Sequence, residues 1–324
     1  MISESLLSLI MLLTLDIGRP AVPVFLSPQA ESFQLMNAPE RHLGPPSVGL
    51  LNARNRDPAL VEELVMNEKH GCSCARHLAQ GFARQSINAG EGEIYQISLM
   101  SALIDGVYEG ETTIAELLKH GNFGLGTFNH LDGELIAFDR EIHQLRADGS
   151  ARPAGLQQKT PFAVVTFFQP SVSQQFDRPI TKAQLHQCID EQVASPNLFC
   201  AVRVDGEFSH VETRTVPRQE RPYRPMLEAI EEQPTFSFHQ RRGTLVGFRS
   251  PDYMQGIGVA GYHEHFVTDD RSGGGHVLDY QLDHGRLQFG VITRLNLQLP
   301  HDADFLRANL CPEDLDRAIR SAEG

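Results

Sequence analysis

The sequence predicts an α+β fold dominated by antiparallel sheet, and three observations carry that expectation. Near residue 123 the apolar pattern changes from a helical repeat to a period of two. Asp132-Gly133, Asp148-Gly149 and Asp205-Gly206 repeat the pair that turns a hairpin, because Asp and Gly both tolerate positive φ. Predicted strands outnumber predicted helices, and strands joined by hairpins run antiparallel.

Taken in order, residues 1–65 open with an apolar run over 6–15 that no Lys or Arg precedes, the first basic residue being Arg19. That run lacks the charged start of a secretory leader and is too short to span a bilayer. Residues 19–57 are rich in Pro, Gly, Asn and Ser without periodicity, which predicts a poorly ordered extension, with Met66 as an alternative start. Helical patterns follow over 74–86 and over 94–104, the latter with Ile97, Met100, Leu103 and Ile104 on a mixed apolar face. Thr113-Ile114-Ala115-Glu116 is a capping box, and the short helix it opens stops at His120-Gly121. Strands are expected over 123–128 and 134–138 around the first Asp-Gly pair. Others follow over 163–168, 199–204, 208–216, 235–238, 244–248, 259–267, 276–282 and 286–292. Loops are expected over 151–159 and 169–182. Helices are expected over 181–193, 223–232 and 312–321, the last opened by Pro312 with acids in its first turn.

Composition narrows the partners. The 324 residues include 28 Lys and Arg against 41 Asp and Glu, a formal charge of −13 that would repel nucleic acid and anionic membranes. An anionic substrate would therefore need a local cation. Hydrophobic content of 41% suits a soluble chain with a sizeable core. Five cysteines (Cys72, Cys74, Cys188, Cys200, Cys311) are odd in number and scattered, which fits a reducing cytosol better than a disulfide framework. Cys72-x-Cys74 lacks the second ligand pair of a zinc finger. No GxGxxG follows a strand, and neither a Walker loop nor a Gly-x-Ser-x-Gly elbow is present, so nucleotide binding and serine-hydrolase chemistry have no support.

The most informative local signal is Tyr262-His263-Glu264-His265, followed by Gly273-Gly274-Gly275-His276. Side chains two apart on a strand share a face, so His263 and His265 point together with about 7 Å of backbone between them. A chain turning through three glycines can return His276 beside them. Three neutral imidazoles on one cation leave coordination positions open, as catalytic sites do. With 14 histidines in the chain, the His-x-His pair alone reads equally as a polar strand face. Glu134, just after Asp132-Gly133, is either a solvated strand-end acid or a site residue. Gly124 and Gly126 alternate on the partner strand, which marks close approach of backbone or ligand. Arg214, in a β-branched run, either pairs with an acid such as Glu212 or Glu207 or clamps an anion.

Several blocks together carry a resemblance. Tyr95-Gln96-x-Ser98-Leu99-Met100-Ser101-Ala102-Leu103, Gly121-x-Phe123-Gly124-x-Gly126-Thr127-Phe128 and Leu131-Asp132-Gly133-Glu134-Leu135 resemble the acetolactate decarboxylase family. So do Thr213-Arg214-Thr215-Val216, Gln255-Gly256 and Gly261-Tyr262-His263-Glu264-His265-Phe266 running on to Gly275-His276. The similarity runs in order from Tyr95 to the C-terminus, whereas residues 1–65 have no counterpart.

The resemblance implies one zinc ion per chain held by His263, His265 and His276. It matches Glu134, Arg214 and Thr127 to the family's active-site glutamate, arginine and threonine, and Glu323 to a further glutamate from the tail. It implies two α/β lobes of mixed sheet around the metal, here 66–170 and 171–324, in a cytoplasmic homodimer. The implied reaction is decarboxylation of 2-acetolactate to acetoin, in acetoin and butanediol biosynthesis, through a zinc-stabilised enediolate protonated on one face. Such a metal acts as a Lewis acid, so no thiamine or pyridoxal sink is needed, and neutral ligands leave it fully charged. Arg214 would hold the carboxylate before it departs or steady the enediolate afterwards, and either Glu134, its pKa raised by burial, or a water relay would deliver the proton. Thr127 would hydrogen-bond a substrate oxygen. Glu264 should point away from the histidines, and Asp269-Asp270-Arg271 reads as loop charge, one acid of which can support a ligand imidazole. The rivals are a cupin-like metal oxygenase, with Asp269 or Asp270 as a carboxylate ligand, and a non-enzymatic metal or small-ligand binder. The Gly-Thr-Phe and Thr-Arg-Thr-Val blocks have no role in the oxygenase reading.

Overall fold

A computed structural model describes residues 92–323. The expectations for 1–65, for Cys72-x-Cys74 and for a helix over 74–86 lie outside the described residues. In chain order the first elements are β1 (Glu93–Ile97), α1 (Met100–Ile104), β2 (Thr112–Thr113), α2 (Ile114–Leu117), β3 (Phe123–Thr127), β4 (Glu134–Phe138), β5 (Glu141–Leu145), β6 (Ala151–Pro153), β7 (Lys159–Thr160) and β8 (Ala163–Thr166). Then come β9 (Val172–Phe176), β10 (Ile180–Thr181), α3 (Lys182–Gln192), β11 (Phe199–Arg214), α4 (Met226–Ala229), β12 (Thr235–Ser250), β13 (Gly261–Thr268), β14 (Gly274–Ile292), β15 (Arg294–Gln298), α5 (Ala303–Arg307) and α6 (Leu315–Glu323).

Two sheets dominate. One is seven-stranded in the order β15-β1-β8-β3-β4-β5-β6, antiparallel except where β15 runs parallel to β1. The other is six-stranded, β10-β14-β11-β12-β13 with β9 also on β14. It curls until β13 meets β14 again. Because β15 returns to the first sheet, a division of the chain at residue 170 does not separate the two sheets.

Apolar side chains from both sheets meet between them, Phe123, Leu125 and Ile136 against Val246, Phe248 and Val267. On the far face of the six-stranded sheet, α3 lays Leu185 and Ile189 against Val202, Phe208 and Leu245. Each such full burial contributes about 1.5–3 kcal/mol. Helix α3 begins where expected, because Thr181 and Gln184 form a reciprocal capping box. A third cluster joins α1, α4 and α6 through Met100, Leu103, Met226, Ile319 and Ala322. Among the described residues no helix is long and apolar enough to cross a membrane.

Several local expectations are corrected. The helical pattern over 94–104 divides at Ser98 (φ 63°) into β1 and α1. Residues Ile94–Ile97 of β1 are buried on both faces between β15 and β8, and a strand without a wet face shows no alternation. Asp205-Gly206 is not a turn, because the strands expected over 199–204 and 208–216 are one strand, β11. Gly206 pairs with Gly243 on one side and Gly285 on the other, and a Cβ there would come 2.5 Å from the His284 carbonyl. The glycines serve strand contact. Likewise 235–238 with 244–248, and 276–282 with 286–292, merge into β12 and β14. The helix over 223–232 shrinks to α4, since Pro225 disfavours helical backbone in the residue before it. The loops over 151–159 and 169–182 contain β6, β7, β9 and β10, all short. Thr113 does cap α2, but Glu116 turns to Lys119 instead of closing the box.

Candidate metal centre and active-site cavity

Strand register assembles the site. Arg214 of β11 pairs with His276 of β14, and His276 pairs in turn with His265 of β13. Directly opposed residues of antiparallel strands project to one face, and His263 joins them two positions along β13. Only glycine fits where β14 squeezes between its neighbours. A Cβ on Gly274 would lie 2.1 Å from the Phe266 carbonyl, and one on Gly275 2.5 Å from that of Arg214. The reversal itself is made at 268–273, with Arg271 at φ 55°.

The three rings converge, with centroids 5.1, 5.0 and 5.5 Å apart and one ligand nitrogen from each within 4.8 Å of the others. All three are buried. His265 Nδ1 donates to the Leu135 carbonyl at 2.8 Å, leaving the Nε2 lone pair buried without a partner. His276 Nε2 donates to the Glu323 carbonyl at 3.0 Å, which leaves its Nδ1 lone pair free and satisfies a carbonyl at the end of α6. These contacts set the tautomers, because a carbonyl only accepts. The imidazoles are held neutral. Burial first, then each other and Arg214, push His263 and His276 well below 6.5, and burial takes His265 to about 4. Neutral, oriented, buried nitrogen donors with an orphaned lone pair fit a divalent cation.

Two carboxyl groups border the triad. Glu323 Oε2 stands 3.1 Å from His263 Nε2 and 3.6 Å from His276 Nδ1, and Glu134 Oε2 stands 3.7 Å from His265 Nε2. Burial, reinforced by Glu323 and opposed by Arg214, raises Glu134 to about 8, and burial against Arg214 raises Glu323 to about 7. Arg214 is itself buried. The acids offered as its ion-pair partners turn elsewhere, Glu207 to His284 at 3.6 Å and Glu212 to His210 at 3.5 Å.

These groups form the polar side of a cavity whose other side is apolar, including Met100, Leu103, Phe162 and Met226. Thr127 pairs with Glu134 across β3 and β4 and lines it too. Its hydroxyl donates to the Gly133 carbonyl at 2.7 Å, so toward the cavity it only accepts. Gly124 and Gly126 make room for backbone, since added Cβ atoms would reach the Val164 and Phe162 carbonyls at 2.2 and 2.4 Å.

The structure thus brings Thr127, Glu134, Arg214, His263, His265, His276 and Glu323 together. Sequence reasoning missed Gln233, which lines the cavity with a buried Oε1 that has no partner. Its only sequence mark is a Gln-Pro pair before a strand. Asp269 and Asp270 are not ligands. Asp270 accepts from Thr268 and Ser272 within its own turn, Asp269 faces Arg242, and the carbonyls of Leu135 and Glu323 support the ligand rings instead.

Comparison with known proteins agrees with this geometry. The family model described as alpha-acetolactate decarboxylase matches residues 94–312. The alpha-acetolactate decarboxylase of Raoultella terrigena is 59% identical over 258 residues, covering 80% of this chain and all of that protein. That of Bacillus subtilis strain 168 is 47% identical, covering 72% and 91%. The crystal structure of alpha-acetolactate decarboxylase from the same Bacillus strain superposes with a TM-score of 0.70 at 46% identity, covering 72% of this chain and 99% of that one. The chain belongs to the alpha-acetolactate decarboxylase family.

Proposed function

We propose that this protein is an enzyme that converts 2-acetolactate (2-hydroxy-2-methyl-3-oxobutanoate) to acetoin and carbon dioxide, with a divalent cation, zinc by its donor set, on His263, His265 and His276. The observation that carries this reading is the convergence of three neutral, buried imidazoles beside one guanidinium and two carboxyl groups whose pKa values are raised. A cation there supplies Lewis acidity for the negative charge that develops as carbon dioxide leaves.

The chain's own residues do the rest. Arg214, the buried cation of the cavity wall, receives the substrate carboxylate with a planar two-pronged donor set. Met100, Leu103 and Phe162 take the methyl groups and exclude water. Substrate has a single hydroxyl donor, and Thr127 Oγ1 and Gln233 Oε1 are acceptors with capacity to spare. When the C1–C2 bond breaks, its electron pair stays on C2 and spreads into the C3 carbonyl as an enediolate. Protonated Glu134 then gives its proton to C2 from one side, forming the new C–H bond of a single acetoin enantiomer. Solvent restores the Glu134 proton, so each turnover consumes one proton and releases one carbon dioxide.

The test is acetoin formation from racemic acetolactate without oxygen, combined with elemental analysis of the purified protein. Activity that disappears on chelation and returns with zinc supports the reading. Full activity after exhaustive chelation, or a requirement for dioxygen, refutes it.

A further inference from the structure

We propose that Glu264 and His186 are the positioning pair of this metal centre, bracing the ligand strand from the side opposite the cavity. The inference rests on the metal reading of the three histidines given above.

The need for a brace follows from the ladders. Strand β13 bonds β12 along its whole length, Gly261–Thr268 opposite 243–250. Its bonds to β14 cover only His265, Phe266 and Val267. Around His263, then, sheet hydrogen bonding holds β13 along one edge alone, and a twist there would swing this ring away from the other two.

Side chains on the reverse face supply the hold. Tyr262 and Glu264 alternate with His263 and His265, so they face α3. Glu264 is 2% exposed, and both its oxygens lie 3.1 Å from His186 Nε2, whose single N–H they share. The Tyr262 ring stacks on His186 at 3.6 Å and 6°. Its hydroxyl donates to the His186 carbonyl and to Asp190 Oδ1, both at 3.1 Å. Asp190 is held in turn by Arg249 Nε at 2.6 Å, and Arg249 sits directly opposite Tyr262 on β12. Gly247 lies opposite Glu264, where a Cβ would come within 2.7 Å of Glu264 Cγ. Its missing side chain leaves the slot the carboxylate occupies.

Stability alone does not call for this arrangement. A buried polar pair is commonly no better for the fold than apolar residues of similar volume, because both groups must be desolvated. What it provides is direction, because a carboxylate hydrogen-bonded to a ring that is itself stacked on Tyr262 has a preferred orientation that an apolar side chain lacks.

The experiment uses the full chain with Glu264→Gln and His186→Phe. The latter keeps the ring stacked on Tyr262, removes the donor, and alters a side chain that is 16% exposed. Zinc affinity is measured by competition with a chromophoric chelator, the cobalt(II) protein by its visible spectrum, and 261–265 by amide exchange. Both variants are expected to bind zinc about 10- to 100-fold more weakly. Their cobalt bands should shift, and exchange at 262–264 should be faster while the rest of β12 and β13 is unchanged. Wild-type affinity and wild-type cobalt bands in both variants, even with a lowered melting temperature, overturn the brace alone. Wild-type protein that binds no divalent cation overturns the metal reading and the brace with it.

Discussion

Glu134→Gln separates what this carboxyl does for the reaction from what it costs the fold. Burial, with help from the charge of Glu323 and against Arg214, raises Glu134 from 4.5 to about 8, and its side chain is 13% exposed. At pH 7 the folded, metal-free protein therefore retains a proton that the unfolded chain has released. A carboxyl whose folded pKa is raised penalises the native state increasingly as pH climbs from 4.5 to about 8, and not at all below 4.5. At 1.36 kcal/mol per pH unit the penalty at pH 7 is about 3 kcal/mol. Glutamine keeps the shape and escapes the penalty. In excess chelator the variant should resist urea better than wild type by an amount approaching about 3 kcal/mol at pH 7 and vanishing near pH 4.5. The amide has no proton to deliver, so zinc should be retained while kcat falls by about 10²- to 10⁴-fold. Equal or lower stability of the chelated variant at pH 7 would refute the reasoning about burial. Undiminished turnover to a single acetoin enantiomer would remove Glu134 as the proton donor.

His265→Ala should abolish zinc binding and activity together, as read by elemental analysis and acetoin assay, because its Nε2 is the orphaned donor of the triad. Arg214→Lys should lower kcat/KM by roughly 10- to 100-fold without loss of metal, since Lys cannot reproduce a two-pronged contact. The pH profile of kcat/KM should fall on the alkaline side as Glu134 deprotonates. A divalent cation held by the three neutral histidines would place that limb below about 8, and the limb should be absent from the residual activity of Glu134→Gln. Gln233→Leu should raise the melting temperature, because an unsatisfied buried acceptor costs about 1–3 kcal/mol, yet weaken kcat/KM by losing a partner for the substrate hydroxyl. Leu287→Ala, far from the cavity in the α3-side core, should cost about 2–5 kcal/mol in urea titrations and leave kcat unchanged.

What was legible in the chain follows from which residues speak through local pattern. His263 and His265 announced a shared face because strand alternation is local, and Glu134 was marked by the Asp-Gly pair before it. Glu323 was matched only through the tail of the resemblance, yet its own helix carries a sign. Ile319 and Glu323 are four apart and share the buried face of α6 with Ala322, so an acid stands in an apolar stripe. Arg214 could not be placed from sequence, since an ion pair with Glu212 and a cavity position differ only through the irregularity between Glu212 and Thr213 that seats it opposite His276. The misread turns have a deeper cause. Asp205-Gly206 has the composition of a hairpin, but composition does not distinguish a glycine needed for its φ from one needed for its missing side chain. Gly206, Gly243 and Gly285 line up across three strands where these come too close for any Cβ, and Gly274 and Gly275 repeat the condition farther along β14. At Gly274 and Gly275 that close approach accompanies the pairing of β13 with β14, which sets His265 opposite His276. The feature that made the strands hard to read is therefore the one that brings the three histidines together.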